Sequence, residues 1–437
     1  MKKKIIGVFV CMLMLIIAFS PSLPGEIRSE QNPSLLTLTN PLIVSILENI
    51  TESQVIENIN ELTSVGPRFN NSRESKSAAK IIYDHFTQEG LQVRYQNWSL
   101  GIFSGINVEA TLLGFDKSSS EIYIICGHYD TVWNVVGADD NAGGTSAVLI
   151  ASDVLSTYTF NHTIRFIAFS GEEEGLLGSY EYVKEAVENK DNIAGVLNLD
   201  MIGYAPTQED ANKIGVYDQK VSYWLTNFTS SISTEYFPYI NLQVIHKGFS
   251  GGSDHFSFNA EKYPAVWYWE YKTSPAWHQK NDTLENMNPS YATKVTKLGV
   301  ATLAALAEPI IGAPLKPNQP SGQINGEIEQ EYTYTTSTTD PDGDQVFYRW
   351  DWGDGSYSDW LGPYDSGATI DTIHKWTIKG SFSIKVKAKD SNGHESSWSS
   401  PLPINMPYSY KLIPQLLERF FQRFPNAFPL LQQLMGY

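Results

Sequence analysis

The residues able to do chemistry in this sequence are histidines and carboxylates placed just beyond short apolar runs. The run at 122–125 (IYII) is followed by His128 and Asp130 and then by the acidic, glycine-rich turn GADDNAGG at 137–144, which holds Asp139 and Asp140. A second run, 163–169, ends in GEEEGLLGS with Glu172, Glu173 and Glu174; a third, 194–199, ends in Asp200; a fourth, 265–269, precedes His278 in WHQKND. β-Branched and aromatic runs of this length read as strands buried on both faces. In open sheets covered by helices, ligands bind beyond the carboxyl ends of the strands, where neighbouring loops converge. Carboxylates gathered there repel one another and lose solvation unless a cation neutralises them. Two imidazoles in the same company point to a metal such as zinc, which accepts nitrogen and oxygen donors alike. Each residue alone has a blander account. Asp139 or Asp140 beside a helix amino end reads as a cap, Asp139 equally as a group supporting the ligands from behind, Glu174 as a solvated or helix-starting carboxylate, and His255 in GGSDHFSF as a structural group. Their joint placement at several strand ends favours the metal.

The elements that must position these groups follow from periodicity. Apolar residues recur at helical spacing through 51–66 and 75–90, and the first of these stretches opens at a capping pattern, Thr51 to Gln54, and stops at Gly66-Pro67. Residues 91–98 and 106–113 alternate like paired strands, after which strand and helix take turns through Asp200. A strand at 213–217, helices at 221–236 and 289–311, and the run at 265–269 complete an α/β domain with a mixed, largely parallel sheet flanked by helices. The texture then changes. Residues 313–325 are rich in proline, glycine and asparagine and read as an exposed linker, and the short β-rich runs over 326–407 are spaced like a small all-β, immunoglobulin-like sandwich. The expected boundaries are 41–312 for the catalytic domain and 326–407 for the sandwich. The tail, 408–437, is aromatic and amphipathic and is broken by Pro414, Pro425 and Pro429.

With 437 residues the chain exceeds one ordinary domain, and its formal charge of −17 excludes nucleic acid as a partner, since a phosphate backbone needs a basic face. Lys2, Lys3 and Lys4 precede an apolar run at 5–19, the layout of a secretory signal over 1–23, followed by a polar linker at 24–40. That run is short for a bilayer span. A secreted or cell-surface location is expected, with Cys126 the only cysteine left once the signal is removed.

With those motifs in hand, the first domain resembles the zinc aminopeptidases of metallopeptidase family twenty-eight, which includes secreted leucyl aminopeptidases and glutamate carboxypeptidase. The resemblance rests on GHYD, GADDNAGG, GEEEGLLGS, NLDMIG and WHQKND, met in that order. It implies a zinc-exopeptidase fold and two zinc ions per chain. His128 and Asp200 would hold one, Glu173 and His278 the other, and Asp140 would bridge them. It further implies Glu172 as general base, with Glu173 directed elsewhere, and Asp130 as the group that orients a ligand histidine. Trp277 stands where some secreted members carry Tyr, and Trp267, Tyr268, Trp269 and Tyr271 read either as pocket or as core. The second module resembles a polycystic-kidney-disease-type (PKD) domain through DPDGDQVFYRWDWGDGS and HKWTIKGSFSIKVKAKDSNG. Asp340, Asp342, Asp344 and Asp354 there are read first as turn residues and second as calcium ligands. The implied function is a secreted dizinc aminopeptidase acting on peptides, with cell-surface or polysaccharide contact through the PKD-like domain and tail. The alternatives are a glutaminyl-cyclase-like mono-zinc transferase and a non-catalytic binding protein on a peptidase fold.

Overall fold

The computed structural model describes residues 39–406 together with Phe420 and Arg423, whose backbone is helical. The expected signal segment, nearly all of the 24–40 linker and the rest of the 408–437 tail lie outside the described residues.

Three helices lead into the sheet, each started by a side-chain cap that satisfies an otherwise orphaned backbone amide. Asn40 caps α1 (Pro41–Glu48), Thr51 and Gln54 form a reciprocal capping box on α2 (Glu52–Ser64), and Ser72 caps α3 (Arg73–Gln88). The strands and helices that follow are β1 (Gln92–Leu100), β2 (Phe103–Leu112), β3 (Glu121–His128), α4 (Gly144–Leu155), β4 (Thr163–Phe169), α5 (Leu177–Asn189) and β5 (Asn192–Leu199). Then come β6 (Lys213–Tyr217), α6 (Tyr223–Glu235), α7 (Phe237–Ile240), β7 (Gln243–Gly248), α8 (His255–Ala260), β8 (Ala265–Glu270) and α9 (Pro289–Ala307). The strands make one eight-stranded sheet in the order β1-β2-β4-β3-β5-β8-β6-β7. β4, β3, β5 and β8 run parallel at its centre; β1 and β2 on one side pair antiparallel with their neighbours, and on the other side β6 pairs antiparallel with β8 and parallel with β7.

The unbroken apolar character of β3 follows from its place in that order. Tyr123 and Ile125 pack into the layer built with α4 and α9, whereas Ile122, Ile124 and Cys126 pack into the opposite layer with Tyr182, Val183 and Ala186 of α5 and Phe258 of α8. A strand covered on both sides has no position for a polar residue until it leaves the sheet, which it does at His128. Each fully buried isoleucine here contributes about 1.5–3 kcal/mol through apolar area removed from water.

The second module is a sandwich of β9 (Ser321–Gly322), β10 (Glu331–Thr336), β11 (Val346–Asp351), β12 (Leu361–Tyr364), β13 (Ile370–Lys375), β14 (Gly380–Lys389) and β15 (Leu402–Met406). One sheet has the order β13-β10-β9 and the other β12-β11-β14-β15. Trp350, Trp352, Trp376, Tyr334, Tyr348 and Val386 fill the space between them.

The segment at 313–325, expected to be an exposed linker, is exposed at 318–319 and 321–325 but is tied down at its start and through one short strand pairing. Ala313 is buried, Leu315 exchanges hydrogen bonds with Thr338 and Thr339, and Ser321–Gly322 pairs with β10. Lys316 reaches back to Glu89 Oε2 at 2.7 Å and Ser156 Oγ at 2.8 Å in the first domain. Thr159 Oγ1 donates to the Glu395 carbonyl, and Ser397 Oγ to that of Tyr158. Proline- and asparagine-rich composition marks lack of periodicity, and these bonds need none.

Candidate metal centre

Every chemistry-bearing group arrives at one end of the sheet. β3 ends on His128, the loop after β4 carries Glu172 and Glu173, and Asp200 follows β5. Asp140 lies in the distorted turn Ala138–Gly143, where neither it nor Asn141 is helical. The loop after β8 brings in His278, which takes a φ of 58°, and Met201, next to Asp200, takes 52°. Such left-handed backbone costs a side-chain-bearing residue about 1 kcal/mol or more, so the surrounding structure must enforce it.

The enforcement is visible. The Asp282 carboxylate accepts the backbone amides of Asp139 (2.8 Å) and Asp140 (3.1 Å), joining the 137–144 turn to the loop of His278. Asn141 Nδ2 donates to the Leu199 carbonyl, and its Oδ1 accepts the Gly144 amide. Gly144 is required there, because an added Cβ would lie 2.1 Å from the Leu199 carbonyl oxygen. Arg68, wholly buried, donates from Nε to the Tyr129 carbonyl and from its terminal nitrogens to those of Val136 and Gly137, all within 2.6–2.8 Å. Ser253 Oγ donates to Asp200 Oδ2 at 2.5 Å and accepts from Asn198 Nδ2, fixing the rotation of that carboxylate.

Inside this frame the donor atoms face one another. His128 Nε2 lies 3.3 Å from Asp140 Oδ1 and 3.4 Å from Asp200 Oδ1. His278 Nε2 lies 3.2 Å from Asp140 Oδ2 and 3.1 Å from Glu173 Oε2. A charge-assisted N–H···O bond is about 2.7–2.9 Å long. By contrast, donors about 2.0–2.1 Å from a tetrahedral zinc stand roughly 3.3–3.4 Å apart along the tetrahedron's edges. The observed separations fall close to that edge, Glu173 Oε1 is buried without a hydrogen-bond partner among the described residues, and the donor set is nitrogen and oxygen. The residues present fit zinc.

The electrostatics demand positive charge. Burial pushes Glu173 up to about 7 and Glu172 well above the ordinary carboxylate range. Burial would lower His128, yet the charges of Glu172 and Asp200 hold it well above its ordinary value, and hydrogen bonds to Asp140 and Glu173 bring His278 up to about 10. Burial alone would raise Asp140 too, but the two imidazoles hold it below the usual range. Behind the cage, burial and Asp139 push Glu270 up to about 12, so it holds a proton at neutral pH, and it accepts the amides of Tyr204 and Ser274.

Several expectations need correction. Glu172 and Glu173 do not diverge; they sit in a loop rather than a strand, and oxygens of both lie within 4.8 Å of one another and of a His128 nitrogen. His128 Nδ1 lies 3.2 Å from the Asp130 backbone carbonyl and 3.7 Å from the Asp130 carboxylate, so Asp130 faces the histidine through both groups, and the carboxylate also accepts the amides of Glu172 and Glu173. Asp139 caps no helix, since its Oδ1 accepts the Gly203 amide. Glu174 is half-buried and starts no helix; partial burial pushes it up to about 7, and α5 starts three residues later. Tyr268 belongs to the core, bonded to Thr229, and Tyr271 lies among Lys213, Lys247 and Lys272, whereas Trp267 and Trp269 line the cavity. That cavity, of about 320 Å³, opens over the cage and is walled also by Tyr217, Trp277 and Thr273. His255 is buried against Trp267 with Nε2 on the Ser250 carbonyl, outside the cage.

Arg68 and Glu270 escape the sequence reading as parts of the site. A lone arginine after a helix stop has no spacing to flag it, and Glu270 sits at the end of an apolar strand with no acidic neighbour. Ser253 belongs to GGSDHFSF, a loop that by resemblance to the family borders the substrate pocket, and its bond to Asp200 is what the sequence does not show.

A cage of carboxylates and imidazoles at the carboxyl edge of a mixed α/β sheet defines a metal-dependent hydrolase. Residues 107–303 match the model of peptidase family M28 and residues 321–400 that of the PKD domain. The chain is 26% identical over 330 residues to a probable zinc metalloprotease of Leptosphaeria maculans, covering 61% of this chain and 76% of that one. It is 28% identical over 250 residues to leucine aminopeptidase 1 of Aspergillus niger, covering 51% and 62%. The fold superposes on the LapA aminopeptidase of Legionella pneumophila with a TM-score of 0.55 and 25% identity, covering 61% of this chain and 74% of that one. The chain carries an M28 peptidase domain followed by a PKD domain, and it is a zinc-dependent metallopeptidase.

Proposed function

We propose that the chain is an exported dizinc aminopeptidase, with a catalytic domain over 41–312, a PKD-like sandwich over 326–407, and a cage in which His128 and Asp200 hold one ion, Glu173 and His278 the other, and Asp140 both. The observation that carries this reading is the disposition of Asp140, whose Oδ1 faces one imidazole and whose Oδ2 faces the other, at 3.3 and 3.2 Å. A single ion would leave one of those imidazoles without a metal. The export reading rests on the charged and apolar segment at 1–23.

When bound, a pair of zinc ions lowers the pKa of a shared water and polarises the scissile carbonyl. The remaining tasks fall to the chain. Glu172 lines the same cavity, where its carboxylate would accept the proton of the attacking water and, as the carboxyl that burial favours, release it to the leaving amine. Asp130 holds the Glu172 and Glu173 amides and so places both side chains. Trp267, Trp269 and Trp277 exclude water from one wall and offer apolar area to a substrate side chain. Trp277 has no hydroxyl to offer the reacting carbonyl. The amino-terminal direction of attack is supported by relatives named leucine aminopeptidase.

Elemental analysis of the purified chain, with mass spectrometry of a digested peptide panel, tests the proposal. The expected result is two zinc ions per chain and stepwise release of residues from the amino end, fastest for large apolar ones. One ion per chain, or release from the carboxyl end, would overturn it.

A further inference from the structure

The outer face of the four-stranded sheet in the PKD domain departs from the acidic character of the rest of the chain. Along β14, Ile384, Val386 and Ala388 point into the core, which turns Lys385, Lys387 and Lys389 outward at intervals of about 6.6–6.8 Å. β11 pairs with β14 so that Arg349 stands opposite Lys387 and Phe347 opposite Lys389. Aromatic rings interleave with these cations. Lys389 Nζ lies 4.3 Å and Lys387 Nζ 5.5 Å from the Trp360 ring, Lys387 and Lys385 lie 5.3 and 5.6 Å from that of Trp398, and the Arg349 guanidinium lies 5.2 Å from Tyr357. Two acids, Asp351 opposite Lys385 and Glu395 paired with Lys387, stand against these cations. Arg349 Nε is buried without a hydrogen-bond partner among the described residues. The face also opens into a cavity of about 410 Å³ between the domains, with Lys387 and Trp398 on one side and Leu91, Leu113, Phe115 and Lys117 on the other.

Of these cations Lys387 is paired with Glu395, whereas among the described residues Lys385, Lys389 and Arg349 make no ion pair and keep their charge available to an anion. We infer that this face, from Phe347 and Lys389 through Trp360 to Trp398 and the interdomain cavity, binds an anionic polysaccharide of the polyuronate type. The apolar C–H face of a pyranose ring lies against indole by dispersion, and ring carboxylates meet ammonium and guanidinium groups that aromatic neighbours have already oriented. The alternatives fit less well. Acidic peptides are read by clusters of arginine, whereas this face sets one arginine among three lysines and interleaves them with indole rings that a peptide carboxylate does not use. Duplex nucleic acid, with one charge per 1.7 Å, meets far stronger repulsion from the acidic remainder than a sparsely charged glycan does. This inference is independent of the catalytic reading.

Affinity electrophoresis of the full chain in native gels containing polygalacturonate, neutral dextran or polyglutamate tests it. Retardation by polygalacturonate alone, weakened by salt, is expected. Lys385→Gln combined with Lys389→Gln should raise the apparent Kd about tenfold, and Trp360→Ala should raise it similarly, with peptidase turnover unchanged in both. The lysine changes touch only the outer face, so they keep the test sound should the tryptophan variant fold poorly. Equal retardation by polyglutamate, retardation by none of the polymers, or wild-type behaviour of the lysine variant would each overturn the assignment.

Discussion

Asp140 and Glu172 sit in one cavity, both buried, yet their surroundings drive them in opposite directions: the imidazoles keep Asp140 ionised, while burial favours a proton on Glu172. On the proposed reading this divides labour between a permanent anion that holds metal and a group that trades a proton. Glu172→Gln keeps the volume and removes the exchangeable proton, so turnover should fall by about 10²–10⁴-fold while zinc content by elemental analysis stays at its wild-type value. Asp140→Asn turns one of the two facing oxygens into an amide nitrogen that cannot donate a lone pair, so zinc content and turnover should fall together. Were the Glu172 variant to lose zinc in parallel with activity, Glu172 would be a ligand and the base would have to be sought elsewhere.

The turn at 137–144 shows how much the position of one element depends on a missing side chain. Its acidic tip is placed because α4 begins against the end of β5, and Gly144 is the point of contact. Gly144→Ala would force a Cβ to within 2.1 Å of the Leu199 carbonyl oxygen and 2.4 Å of Asn141 Oδ1, both held in place by other bonds. The expected cost is about 3 kcal/mol or more, read from urea unfolding of the zinc-loaded chain. Gly175→Ala, at a φ of 106° with nothing within 4 Å, should cost only about 1 kcal/mol from backbone strain. Equal costs would mean that α4 can retreat from β5. The same elements show what is legible in sequence. The ends of β3, β4 and β5 could be read because strands buried on both faces are apolar over most of their length, so an imidazole or a cluster of acids at or just after the end marks the rim, even though Asn198 is buried within β5. Arg68 and Glu270 could not, because their work lies in long-range bonds to backbone groups that no local pattern encodes. The start of the 313–325 segment is illegible for the same reason: Lys316 and Leu315 find partners far away in sequence, and composition registers only the lack of a repeat.

At the scale of the whole molecule, an acidic chain concentrates buried carboxyls at one end of its sheet, and that makes metal and proton interchangeable there. Glu173, Glu174 and Asp254 are each pushed by burial to about 7, against about 4 for an unfolded carboxyl. His128 and His278 are also held above the ordinary imidazole value. All of these shifts have the same sign: the folded chain binds more protons than the unfolded chain between about pH 5 and 8. Stability of the metal-free protein is therefore greatest at the acid end of that window and falls as pH rises through it. Asp140 and His255 shift the other way: the contribution of Asp140 is complete above about pH 4, and His255, lowered by burial to about 4, offsets one of the raised groups only in the part of the window below about pH 6.5. His278, with its side chain 41% exposed, is screened by solvent and adds less than its shift suggests. Bound zinc requires ionised carboxylates and neutral imidazoles from the outset, so the loaded protein should lack most of this dependence. Calorimetry in the presence of a chelator should show Tm falling by roughly 5 °C between pH 5.5 and 8, while the zinc-loaded protein changes by less than half as much. A chelated protein whose Tm rose over that range would show that the cage relaxes and admits water once its cations leave, rather than keeping its acids crowded together.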